Sequence, residues 1–285
     1  MILQTLRRRR DAPTLLRLWH LTSLDAPTVA VVWALGFAWA AGVRLPVWIP
    51  ALLALAAWAV YIGDRLLDAR AARMAGDVSG LEERHLFHDR HRRVMTPLAV
   101  AAALGAAAIV VTLMPSAARE RDSVLAVAAL AYFTRVHSAG GETAGGVSAK
   151  FVFAKKEMLV GVLFTAACGL PALSRAEVSG GQLTVTILFA LLAWLNCFAI
   201  DRWESGDDVG SRHVFAAACG LALVGLVTAA VLVGAEWRCA ALVLAGATSA
   251  LLLAMLDRRR GSMTPLALRS AADLVLLTPL VLIFK

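Results

Sequence analysis

Apolar blocks about 20 residues long, one after another with short charged segments between them, constrain this chain more than any other feature. Nine such blocks stand out, at roughly Leu21–Ala41, Val47–Leu67, Val94–Met114, Ser123–Val136, Ala154–Leu173, Leu183–Trp203, Val214–Gly234, Trp237–Leu256 and Pro265–Phe284. About 20 residues is the length that crosses a hydrocarbon core as a helix. The expectation is an all-α integral membrane protein with nine transmembrane helices. It forms a single membrane domain over residues 1–285, with a basic cytoplasmic N-terminus at 1–20 and cytoplasmic loops at 69–93 and 137–153. Composition agrees, since 60% of the residues are hydrophobic and 17% charged, against about 25% charged in soluble domains. Soluble enzyme folds, disordered chains and secreted disulfide scaffolds are excluded together.

The formal charge of +8 could suggest a nucleic-acid partner, but the basic residues sit between apolar blocks, as topology requires. Of the 28 Lys and Arg residues, 21 fall on the side of the N-terminus and the long loops, six on the other, and one, Arg269, within the last span. The positive-inside rule then places the N-terminus and long loops in the cytoplasm and the C-terminus outside, in a bacterial-type inner membrane. Membrane lipids are the expected surroundings, and no nucleic acid is expected as a partner. Cys168, Cys197, Cys219 and Cys239 all lie in apolar stretches without a CxxC pair, so they read as small buried residues rather than a disulfide or zinc site.

Ionisable groups at span ends carry the chemical information. Asp64 and Asp68 are four residues apart, which puts both carboxylates on one helical face. A divalent cation would relieve their repulsion; so would simple neutralisation by Arg65 and Arg70. Asp201 and Glu204 form a second same-face pair, followed by Asp207 and Asp208, on the same predicted side. Two carboxylate clusters with basic loops between them suit Mg²⁺ bridging to a diphosphate, with Arg or Lys on the remaining oxygens; a solvated acidic cap is the plainer reading. His85, His88 and His91 recur every third residue, but that spacing drifts around a helix and the neighbours are cationic, so a basic cap against anionic headgroups is expected there. Asp273 is expected to pair with Arg269 one turn away, and Asp25 to cap the first span ahead of Pro27.

At this point the chain resembles the UbiA superfamily of membrane prenyltransferases, in outline over nearly its whole length. That family has nine helices, a cytoplasmic site, and Asp-rich motifs after helices two and six. Its N-D-x-x-D-x-x-x-D motif aligns with Val60–Asp68, keeping Asp64 and Asp68 but carrying Val60 and Tyr61 in the first two positions. Arg65 follows the middle Asp, as is common there. Ser23-Leu24-Asp25-Ala26-Pro27 looks like the family's R-L-D-K-P start, and Lys150 precedes Gly161 by the family's eleven residues, with Lys155 and Lys156 competing. The second motif is shifted, with Phe198-Ala199-Ile200-Asp201 and then Glu204. The resemblance implies a UbiA-like bundle that transfers a prenyl group from a prenyl diphosphate to a lipophilic acceptor, with Mg²⁺ as cofactor. It implies Asp64, Asp68, Asp201 and Glu204 as catalytic metal ligands, and Arg65, Arg84, Lys150, Tyr61 and Asn196 as substrate contacts. The alternative is a catalytically inactive UbiA-fold protein that binds a lipid or a protein partner. Asp68-Ala69-Arg70-Ala71-Ala72-Arg73 is also similar to the D-G-x-x-A-R core of CDP-alcohol phosphotransferases, but it lacks the glycine and the later aspartates.

Overall fold

The computed structural model describes residues 14–74, 76, 81–138, 148–205 and 208–284, and among these every regular element is helical. The α-helices are α1 (Thr14–Leu21), α2 (Asp25–Ala41), α3 (Trp48–Met74), α4 (Glu83–Arg90), α5 (Arg92–Thr112), α6 (Ser116–Ser138), α7 (Ser148–Leu173), α8 (Gly180–Ser205), α9 (Asp208–Leu232), α10 (Trp237–Arg259), α11 (Pro265–Leu274) and α12 (Leu280–Ile283). Local chemistry sets their ends. α2 stops at Gly42, whose φ of 69° lets its N–H bond Trp39 O while the Val43 N–H reaches back to Ala38 O. α11 starts where the Thr264 hydroxyl accepts from Ala267 N, with Pro265 supplying a preset first turn.

Among the described residues, six helical segments are long and apolar enough to cross a membrane: Trp48–Met74, Arg92–Thr112, Gly180–Glu204, His213–Leu232, Trp237–Ser262 and Pro265–Ile283. The pair Leu15–Leu21 and Asp25–Ala41 makes a seventh if its bend of 92° is counted within one span. α7 contributes a shorter apolar run, Glu157–Leu173. α6 is not among them, because Arg119, Glu120, Arg121 and Asp122 occupy its first two turns. The first apolar block also differs from its expected bounds. The chain breaks at Thr22–Leu24, where Ser23 adopts a left-handed φ of 60°, so the crossing helix begins at Asp25 and α1 turns away at nearly a right angle. α1 buries His20 and Leu21 and leaves Leu15 and Leu18 exposed.

The core lies between α2, α7, α8 and α10. Trp33 stacks on Phe189 with ring centroids 3.8 Å apart, and Phe37 meets Phe189 edge-on. Small residues bring backbones together. A Cβ at Gly161 on α7 would lie 2.9 Å from Trp194 N on α8, and one at Gly225 on α9 would lie 2.8 Å from Ala247 Cβ on α10. The last crossing segment is broken. Pro279 has no N–H to offer Val275 O four residues back, and the helix passes through a 3₁₀ turn at Val275–Leu277. Neighbours satisfy the released carbonyls: Ser249 Oγ donates to Val275 O at 2.7 Å and Trp33 Nε1 to Leu276 O at 2.9 Å. This meets the requirement that irregular backbone at membrane depth be bonded within the protein.

One end of the bundle collects α1, α4, the C-terminal ends of α3 and α8, and the N-terminal end of α11, tied by the contacts described below. At the other end, the Glu236 carboxylate before α10 accepts from Ser179 Oγ and from Gly181 N at the start of α8. These two donors hold the Glu236 carboxyl below its usual range. Trp39, Trp237 and Arg238 stack beside them.

Candidate functional site

The site is built on Arg65, whose side chain is 3% exposed. It points from α3 toward the break between α1 and α2, donating to His20 O at 2.9 Å and Ser23 Oγ at 2.7 Å. Its second Nη lies 3.5 Å from Asp25 Oδ2. The same carboxylate oxygen takes His20 Nδ1 at 2.5 Å, and Oδ1 accepts from Ala26 N at 3.0 Å. Asp25 is thus not the cap expected of it: Leu24 holds the N-cap position without a side-chain bond, and Asp25, the first residue of α2, joins the first crossing helix to α1 and α3. Because the Ser23 oxygen accepts from Arg65, its O–H is left to donate to His88 Nε2 at 3.1 Å. His88 Nδ1–H then donates to Arg84 O at 2.8 Å, which fixes the tautomer. Burial pushes His88 down to about 4, with the Arg84 carbonyl opposing and the Arg65 charge assisting. A buried pair such as Arg65–Asp25 is costly to break by removing one member, about 3–5 kcal/mol, since the other is left uncompensated.

Asp273, on α11, enters the same network. Its Oδ1 accepts from Asn196 Nδ2 at 3.2 Å, and Oδ2 lies 3.9 Å from His20 Nδ1. Arg269 acts on Asp273 through its charge, as their spacing of one turn leads one to expect, and α8 adds tertiary partners, Asn196 to Asp273 and Glu204 to Arg269. Ligand-type atoms of His20, Asp25 and Asp273 fall within 4.8 Å of one another. The Arg65 guanidinium already supplies a positive charge there, so the group reads as a hydrogen-bonded ion cluster.

Outside this cluster lies a layer of paired arginines and glutamates. Glu204 Oε1 accepts from Arg84 Nη1 at 2.9 Å and from Arg269 Nη1 at 2.5 Å, and Oε2 lies 3.4 Å from Arg84 Nη2. Arg84 also approaches Glu82 at 3.5 Å, and Arg17 pairs with Glu83. These groups border a cavity of about 310 Å³ lined by Arg17, Arg84, Arg269 and His20 and by the carboxylates Glu82 and Glu83, with Thr264 and Pro265 at the start of α11. A second cavity, about 180 Å³, shares Pro265 and Arg269 with the first and adds Trp203, Glu204 and Arg260.

The residues singled out from sequence separate into three groups. Arg65 and Asn196 belong to the buried network, and Tyr61 lies within electrostatic reach of Asp25, Asp273 and Arg269. Glu204 and Arg84 meet in the outer layer. Asp68 is 3.6 Å from His85, the neighbour of Arg84 on α4. Consecutive residues of α4 thus touch the ends of α3 and α8, which brings both acidic pairs to one end of the bundle. Asp64 and Asp201 are partly buried on those helices. The side chain of Lys150 lies outside the described residues, as do those of Lys155, Lys156 and Asp208, and all of Asp207. The three loop histidines do not converge: His85 faces Asp68, His88 faces Ser23, and His91 Nδ1 bonds Phe87 O. Sequence reasoning missed His20 and Ser23 as partners of Arg65. Their signal was faint, a lone His and Ser beside an Asp at the mouth of an apolar block. The chain matches no family model, no curated protein and no solved structure.

Proposed function

We propose that this chain is a membrane protein of the UbiA type that takes a prenyl diphosphate at the end of the bundle carrying α4 and transfers the prenyl group to a lipophilic acceptor. The nine-span count, N-terminus-in orientation and UbiA-like bundle belong to this proposal. The observation that carries it is the 310 Å³ cavity with three guanidinium groups, from Arg17, Arg84 and Arg269, on its wall against two carboxylates, from Glu82 and Glu83. Guanidinium is the side chain best shaped to take phosphate oxygens in pairs. Asp64 and Asp68 are hard oxygen donors one turn apart at that same end, which fits Mg²⁺. Glu204, engaged by two guanidinium groups, does not fit a metal in this arrangement. Bound there, the ion would neutralise charge on the departing diphosphate. The chain's own residues hold that diphosphate and orient it, while the apolar bundle beneath excludes water from the allylic carbon.

The test is Mg²⁺-dependent diphosphate release from purified protein supplied with prenyl diphosphates of several lengths and candidate acceptors. Asp64→Asn and Asp68→Asn should each abolish release and leave melting temperature unchanged or slightly raised, since a carboxamide relieves the mutual repulsion but cannot hold a hard cation. Unchanged turnover in both variants ends the catalytic assignment of α3.

A second reading, a UbiA-type protein that binds lipid without catalysis, is favoured by one specific observation. Arg65, which the family resemblance would turn toward diphosphate, is committed to Asp25, Ser23 and the His20 carbonyl. Binding of prenyl diphosphate with no turnover would select it.

A further inference from the structure

The arginines that line the larger cavity are already paired with carboxylates. Arg17 meets Glu83, Arg84 meets Glu82 and Glu204, and Arg269 meets Glu204. Among the described residues, Glu204 is the carboxylate gripped by two of them, in the forked geometry that two guanidinium groups adopt around a phosphate. It sits at the last turn of α8, on the wall of the smaller cavity, with its side chain 26% exposed and so able to swing outward. Arg269 lines both cavities, and its buried Nε–H has no acceptor among the described residues. A guanidinium with a donor to spare, bordering open volume on either side, has somewhere to turn.

We propose that Glu204 is an internal stand-in for the anion of this site: it holds Arg84 and Arg269 in this structure, and an incoming diphosphate group displaces it and takes both guanidinium groups into the 310 Å³ cavity. The inference rests on the reading of that cavity as a diphosphate site and adds a device to it. Glu204 competes with the ligand, so it lowers affinity for weakly charged anions that cannot match two arginines. It also keeps the arginines compensated where an unpaired charge at the membrane boundary would be costly. Once displaced, its carboxylate lies one turn from Asp201, on the helix face the two residues share.

The experiment titrates inorganic diphosphate into the detergent-solubilised full chain by calorimetry and follows melting temperature on the same preparations. Glu204→Gln keeps the size and removes the competing charge. It should bind diphosphate about tenfold more tightly than the parent, a gain of about 1.4 kcal/mol. It should melt lower without ligand and recover more on adding diphosphate than the parent does. Arg84→Gln and Arg269→Gln should each bind more weakly. If Glu204→Gln fails to fold, Glu204→Asp, whose shorter arm cannot reach both arginines, should give an intermediate gain. Farnesyl diphosphate in place of the inorganic anion must preserve this order if the ligand is lipid-borne. Parent binding that Glu204→Gln leaves unchanged or weakens overturns the stand-in while leaving the diphosphate site intact. Absence of binding in the parent and in both Glu204 variants overturns the site and the stand-in together.

Discussion

Ser23 shows how one residue sets the geometry of the site. It holds a left-handed φ of 60°, fully buried, because its hydroxyl accepts from Arg65 and donates to His88. Ser23→Ala keeps the unfavourable backbone and loses both bonds, at a cost of about 1.5–3 kcal/mol where a charged partner is involved. Ser23→Gly loses the same bonds but relieves about 1 kcal/mol of left-handed strain. The Ala variant should therefore melt lowest, the Gly variant between it and the parent; the opposite order would show that the backbone bend is held by something other than this hydroxyl. His88 gives a pH dependence of defined sign. Its folded pKa of about 4 lies below the ordinary histidine value of 6.5, so the unfolded segment binds the proton first. Stability is complete above about 6.5, falls as the pH drops toward 4, and changes no further from this source below that. The groups facing His88 are Arg65, His85 and Asp25. Hydrogen exchange of α4 amides, corrected for intrinsic rates, should speed up across that window, and His88→Gln should remove the dependence.

At the scale of elements, the broken last span is the most informative. Pro279 announces a break in the sequence, but not which helices receive the freed carbonyls. Trp33 from α2 and Ser249 from α10 do so from far along the chain. Trp33→Phe should preserve most of the stacking on Phe189 and leave Leu276 O unpaired, costing about 1–3 kcal/mol. A drop of several degrees in melting temperature would register that loss; no change would mean that the carbonyl finds another donor. The α1–α2 bend belongs to this scale too. An apolar block starting at Leu21 hides it, because hydropathy does not register a single left-handed residue.

For the whole molecule, charged groups gather differently at the two ends of the described bundle. The end built around α4 gathers Arg17, Arg65, Arg84 and Arg269, while Arg238 and Glu236 mark the other. Single cysteines placed at positions 119 and 259 should label from opposite sides of the membrane, with 259 cytoplasmic. Labelling of both from the cytoplasm would show that the number of crossings between them is not the odd number the nine-span reading requires.

Block length and residue chemistry alone determined that this chain is helical and rich in segments able to cross a membrane, because the hydrocarbon tolerates no unbonded backbone and so leaves a narrow choice. They also marked Asp64, Asp68, Asp201 and Glu204 as exceptional, since charge is expensive near apolar blocks. Some pairs are local, such as Arg121 with Asp122 and Arg260 with Asp257, but the long-range partners of the site's charges were decided by tertiary structure. Asp273 lies one turn from Arg269 yet bonds Asn196, and Glu204 draws in Arg84 from α4 and Arg269 from α11. Coulomb attraction in a poorly screened setting favours whichever opposite charge approaches closest, and closeness here is fixed by how α1, α3, α4, α8 and α11 pack, not by their separation along the chain.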